Sequence, residues 1–137
     1  MKLHLAVGIA ALLAGSAALA HHSFAMFDQK QVWTWEGTVV EYNWRQPHVH
    51  IIVLVPENKK NPKLAGTWDF ESSGPNIGAR QGWTRTTFKP GDKITIVGNP
   101  KIDGSKGASL KYAKTASGQI LYHDVERKVT PENTPAS

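Results

Sequence analysis

The sequence predicts an all-β fold: a small barrel of five to six strands with one short helix after the third strand. Apolar and polar residues alternate along several short stretches, as in strands that bury one face. Turn signals rich in glycine and proline separate these stretches at regular spacing. A long first strand, bent at a glycine, is typical of small barrels. Together these features favour an OB-like barrel of the oligonucleotide/oligosaccharide-binding type, with a small open sandwich as the alternative.

The first two strands are predicted to form an antiparallel hairpin. Residues 31–44 alternate strongly, and Gly37 marks a bulge or bend within this strand. The second strand is entered through Pro47 and continues to Val55, with valine or isoleucine at every second position from Val49 onwards. These alternate positions are expected to form its buried face.

The remaining elements follow from turn chemistry. A third strand is predicted over about residues 66–72, followed by a helix of one or two turns that starts near Pro75 and stops at Gly82. A fourth strand follows the proline–glycine turn at 90–91, and the last two strands, 108–115 and 119–123, form a hairpin. Most of the five tryptophans are expected in the core or in cross-strand pairs. One or two could instead line a sugar- or peptide-binding surface.

Residues 1–20 are predicted to be a signal peptide. They contain Lys2, an apolar stretch over residues 3–14 and the small-x-small sequence Ala18-Leu19-Ala20. Cleavage after Ala20 would leave a periplasmic protein with no membrane anchor, which begins at His21. Residues 21–128 are then predicted to be one OB-like barrel domain. Residues 129–137, with two prolines and few apolar residues, are predicted to be a disordered tail.

Composition limits the chemistry. The chain contains no cysteine, so a metal site would need nitrogen and oxygen ligands. The formal net charge of +5 is mild and the lysines are scattered, so no nucleic-acid partner is predicted for an exported protein. Catalytic triads, phosphate loops and paired carboxylates are absent as recognisable motifs. The protein is therefore predicted not to be an enzyme, with a copper-dependent redox enzyme as a weaker alternative.

The strongest chemical signal is a metal-binding pattern of three histidines. His48 and His50 are two residues apart on a strand, so they point to the same side with their bases about 7 Å apart. After cleavage, His21 would carry a free α-amine, and an amine with its own imidazole is a bidentate nitrogen chelate. Such a set suits copper, with zinc as the alternative, and exported copper proteins with an N-terminal histidine brace show this pattern.

The same residues also allow simpler interpretations. His48 and His50 could lie on a solvated strand face and stack on neighbouring aromatic rings, and His21 and His22 could be a polar start to the chain, with His22 a bystander in either case. The barrel would then be a periplasmic module that binds an envelope protein or glycan without metal. On this view the metal-free protein should melt at nearly the same temperature between roughly pH 5.5 and pH 8.

Two further residues have open roles. Glu71 is expected to pair with Arg80, with hydrogen bonding to an imidazole N–H as the alternative. His123, at the end of the last strand, could join the metal site or be exposed.

A set of short motifs is spread over most of the chain after residue 20. They are His21-His22-Ser23-Phe24-Ala25, Gly37-Thr38-Val39, Trp44 followed by Pro47-His48, Trp68 with Glu71, Gly82-Trp83, and Lys89-Pro90-Gly91-Asp92 leading to Asp103-Gly104-Ser105. In these motifs the chain resembles an uncharacterised family of exported bacterial proteins, domain-of-unknown-function family 6152. The family commonly has Asn where this chain has Gln46. The resemblance implies a small β-rich exported domain and implies no particular activity.

Overall fold

The computed structural model describes residues 24–123, in which five strands close into a barrel and a sixth strand adds to it. In chain order the elements are β1 (Trp33–Asn43), β2 (His50–Val55), a 3-10 helix (Pro62–Leu64), β3 (Gly66–Glu71), α1 (Pro75–Arg80), β4 (Lys93–Pro100), β5 (Gly107–Thr115) and β6 (Ile120–Tyr122). The predicted all-β barrel, with one short helix after the third strand, is confirmed. The predicted signal peptide, His21, His22 and the predicted tail 129–137 lie outside the described residues.

Pairing between β3 and β5 closes the barrel. The strands are hydrogen-bonded in the order β3-β2-β1-β4-β5-β6, and every neighbouring pair in this order is antiparallel. β3 also pairs with β5 in parallel, with residues 69–71 of β3 beside residues 107–109 of β5. Short α1 lies in the connection between β3 and β4. This strand order is that of an OB-like barrel.

The long strand β1 belongs to both halves of the barrel. Residues 33–38 pair with β4, whereas residues 38–43 pair with β2. Gly37 lies at this change of partner, where a Cβ atom would come within 2.5 Å of the Leu54 carbonyl oxygen. The sequence predicted a bulge or bend at Gly37, and the register shift in β1 lies between Val39 and Glu41. Glycine at position 37 is therefore explained by the close approach of β2.

The core is built around aromatic side chains. Trp35 packs with its ring centroid 5.0 Å from those of both Trp68 and Phe70. In the same cluster, the rings of Trp83 and Phe88 are in edge contact, with their centroids 5.7 Å apart. Three tryptophans are buried, while Trp33 and Trp44 pack partly buried against the core, which confirms the prediction that most of the tryptophans serve packing.

Replacing Phe70 by Ala should strongly destabilise the barrel. The Phe70 side chain is fully buried, and deletion of a buried aromatic ring costs about 3–5 kcal/mol. Urea unfolding measures this loss directly. Leu54→Ala is the control, because Leu54 is half exposed and its truncation should change the free energy of unfolding by less than about 0.5 kcal/mol. Equal losses for the two variants would contradict this assignment of the core.

Candidate functional site

The two predicted strand histidines lie at the start of β2. His50 is the first residue of β2, and His48 precedes the strand instead of belonging to it as predicted. Backbone pairing nevertheless continues past the strand end. The Val49 N–H donates to the Ser73 carbonyl (3.1 Å), and the Ser72 N–H donates to the Val49 carbonyl (2.8 Å). The backbone that carries His48 is thus fixed to the chain that follows β3.

The loop before His48 is held against α1 by two close approaches at glycines. At Gly74, a Cβ atom would come within 2.6 Å of the Pro47 carbonyl oxygen. At Gly78, it would come within 3.1 Å of the Trp44 ring. Because these two positions carry no side chain, the loop can pack closely against the helix. This contact helps to position His48.

Each histidine pairs with a carboxylate of β3. The His50 Nδ1 atom forms a 2.8 Å hydrogen bond with Oδ1 of Asp69, and the His48 Nδ1 atom lies 2.5 Å from Oε1 of Glu71. Asp69 and Glu71 alternate with the buried residues Trp68 and Phe70, so both carboxylates lie on the outer face of β3. Both imidazoles therefore lie on this same outer face, as the two-residue spacing predicted.

These contacts assign the ring protons. A carboxylate oxygen and an unprotonated ring nitrogen are both acceptors, so they approach this closely only with a proton between them. The Nδ1 atoms of His48 and His50 accordingly carry hydrogen, and in the neutral rings Nε2 keeps the lone pair. The two side chains retain 29% and 34% of their exposure, so the rings remain accessible from solvent.

The hydrogen bond that His50 Nδ1–H donates to Asp69 raises the pKa of His50 above its ordinary value of 6.5. This effect outweighs partial burial, which lowers the pKa. The charges of Asp69 and Glu71 add to the increase, and that of Lys101 opposes it. The expectation of pH-independent stability assumes that the histidine pKa values match in the folded and unfolded states. This premise does not hold for His50, because its carboxylate partner stabilises the protonated ring in the folded state.

Glu71 and His123 take roles that the sequence left open. The Glu71 carboxylate accepts a hydrogen bond from the His48 imidazole. This was the alternative role for Glu71, and among the described residues the expected ion pair with Arg80 is not formed. His123 accepts the Ser73 N–H at Nδ1 (2.9 Å), and the Ser73 hydroxyl donates to the His123 carbonyl (2.8 Å). His123 thus joins the end of β6 to the chain that follows β3, with its ring proton on the opposite nitrogen to those of His48 and His50.

The described part of the chain supplies two of the three predicted metal ligands. Within residues 24–123, no group of three or more histidine, aspartate or glutamate side chains is arranged to hold a metal ion. His21, the third predicted ligand, lies outside this range. Over the same range, none of the helices has the length and apolar character needed to cross a membrane.

Comparison with known families agrees with the motifs. Residues 10–110 match a family described as a family of unknown function, DUF6152. The chain belongs to DUF6152. The match includes β1 to β4 and the whole His48–Glu71 and His50–Asp69 arrangement, so the candidate site lies inside the DUF6152 domain. No curated protein matches the chain.

The stability of the metal-free protein should depend on pH through His50. Because the folded-state pKa is raised, the His50–Asp69 pair stabilises the fold fully below about pH 6.5 and loses this effect as the pH rises through the folded-state value. Asp69→Asn should therefore cost more stability near pH 5.5 than near pH 8. The difference should stay below about 1 kcal/mol, because the two side chains are 34% and 48% exposed.

Urea unfolding at the two pH values measures this difference, and an NMR titration of the His50 ring checks its cause. Glu36→Gln is a suitable control, since Glu36 is an exposed acid on β1. A His50 pKa that does not fall in Asp69→Asn would show that the hydrogen bond does not raise it.

Proposed function

We propose that this protein is an exported, non-enzymatic module that binds a metal ion, copper in preference to zinc, through His21, His48 and His50. The observation that carries the proposal is the pair of imidazoles on one outer face of the barrel, each with Nδ1 directed at a carboxylate. This arrangement leaves an Nε2 lone pair on each neutral ring for a metal.

The donor set supports copper by its chemistry. Metal-bound histidines commonly donate their other ring N–H to a carboxylate, which orients the ring and makes it a stronger donor. Nitrogen ligands suit copper and zinc, and the affinity order of the divalent metals favours copper. A chain without cysteine offers no thiolate to compete for either metal.

The position of Phe24 supports a contribution from His21. The Phe24 ring lies 6.4 Å from the ring of His123, and His123 is hydrogen-bonded to Ser73. Ser73 in turn accepts the N–H of Val49, the residue between His48 and His50. His21 is three residues before Phe24, a length of chain that reaches at most about 10 Å, and Phe24 itself is linked through His123 and Ser73 to the backbone between His48 and His50.

The proposal requires removal of residues 1–20. Only cleavage after Ala20 gives His21 a free α-amine, and with it the bidentate chelate. The proposed periplasmic location and the proposed site therefore depend on the same processing step.

Titration with Cu²⁺ or Zn²⁺ tests the site directly, with calorimetry as the readout on protein that begins at His21. His48→Ala and His50→Ala should each weaken Cu²⁺ binding by at least about tenfold, which corresponds to about 1.4 kcal/mol. His22→Ala is the matched control and should bind as tightly as the unmodified chain. Binding that is equal in all four proteins would refute the histidine site, and the absence of binding in the unmodified chain would favour the metal-free interaction module.

Retaining three extra residues before His21 should also weaken Cu²⁺ binding. The extension converts the His21 α-amine into a peptide nitrogen and places the new amine too far from His21 and His22 to chelate with their imidazoles, while His48 and His50 stay unchanged. Imidazole and amine both bind metal in their deprotonated forms, so the loss should be measured near pH 8, where competition from protons is weak. Equal affinity with and without the extension would exclude the amine as a ligand.

A further inference from the structure

The two acidic residues on the outer face of β3 are arranged as partners of the proposed metal ligands. We propose that Asp69 and Glu71 are positioning residues, which fix the ring orientation of His50 and His48 and select Nε2 as the metal-binding nitrogen. This inference rests on the proposed function, and it names the groups that determine how the imidazoles present themselves to the metal.

The strand register supports this role, because the two pairs are formed in the same way. His50 lies directly opposite Glu71 in the β2–β3 ladder, yet its ring is bonded to Asp69, which lies opposite Ile52. His48 in turn contacts Glu71, the residue opposite His50. Both contacts are diagonal and shifted by two residues in the same direction, so both rings lean the same way along the face.

The position of the ring proton decides which imidazole nitrogen can bind a metal. A free neutral imidazole can carry its proton on either nitrogen, and an exposed ring can rotate between orientations. A carboxylate that accepts the hydrogen bond from Nδ1–H fixes both the position of the proton and the rotation of the ring. The ring is held in one orientation, and the unprotonated nitrogen is Nε2. Two rings that are held in this way present their lone pairs without first having to reorganise.

The ion pairs alone do not account for this arrangement. All four side chains are partly exposed, and exposed pairs of this kind add at most a small amount to stability. The anionic partner has a larger effect on a metal-bound imidazole, since removal of such partners typically lowers metal affinity about 10- to 100-fold. The two carboxylates are thus expected to affect metal affinity at the histidines more than the stability of the barrel.

The first measurement is the tautomer of each ring in the metal-free protein, by ¹⁵N NMR at a pH above the titration range of the rings. His48 and His50 should both show a protonated Nδ1 and an unprotonated Nε2, whereas His123, which accepts a hydrogen bond at Nδ1, should show the reverse. Asp69→Ala should change the tautomer balance of His50 and leave that of His48, and Glu71→Ala should do the opposite. Wild-type rings protonated at Nε2, or variants with unchanged balance, would overturn the inference.

The second measurement is the affinity for Cu²⁺ and Zn²⁺. Asp69→Ala and Glu71→Ala should each lower it about 10- to 100-fold, whereas Asp69→Asn, which keeps an oxygen acceptor for the ring N–H, should lose less. Glu36→Ala removes a negative charge elsewhere on the surface and should leave the affinity unchanged. Equal affinity in wild type, Asp69→Ala and Glu71→Ala would overturn the inference.

The two measurements separate this inference from the proposed function. If the wild-type chain binds neither metal, the proposed function fails, and with it the metal-selecting part of the inference. The tautomer data then still decide whether the carboxylates position the rings.

Discussion

The candidate site depends on the parallel pairing of β3 with β5. Residues 69–71 of β3 lie beside residues 107–109 of β5, and this short ladder closes the barrel. It involves the same stretch of β3 that carries Asp69 and Glu71. Because β3 is paired with β2 on one edge and β5 on the other, the two carboxylates are held in a fixed register relative to the histidines. A mobile edge strand could not hold the carboxylates in this register.

Much of this fold could be predicted because local patterns record which side chains are buried. The alternate residues Val49, Ile51, Val53 and Val55 are all buried, as their spacing required. The bulge in β1 could not be predicted in the same way. It lies beside Val39, whose backbone N–H and C=O bond to Asp92 and Gly91, about fifty residues away in the chain. The glycine nearby is explained by packing against β2, so it did not mark the position of the register shift.

At the site too, features set by neighbouring residues could be predicted, and features set by contacts between distant parts of the chain could not. The His-x-His spacing was enough to predict that both imidazoles share a face. The identity of their partners depends on the register between β2 and β3, because a shift of two residues would pair His50 with Glu71 instead of Asp69. The raised pKa of His50 follows from that choice of partner, so single-residue reasoning missed it. His123 required still more distant information, since its role depends on where β6 meets Ser73.

The contact between Phe24 and His123 brings the first and last described residues of the barrel together. A chain that enters and leaves a domain at one point can be rejoined there by a short linker and opened elsewhere. The loop over residues 56–65 is a natural place for new termini, because β2 starts at the candidate site and ends at this loop. A circularly permuted barrel of this kind would keep β2 and β3 intact while placing its ends about as far from the histidines as the length of β2 allows.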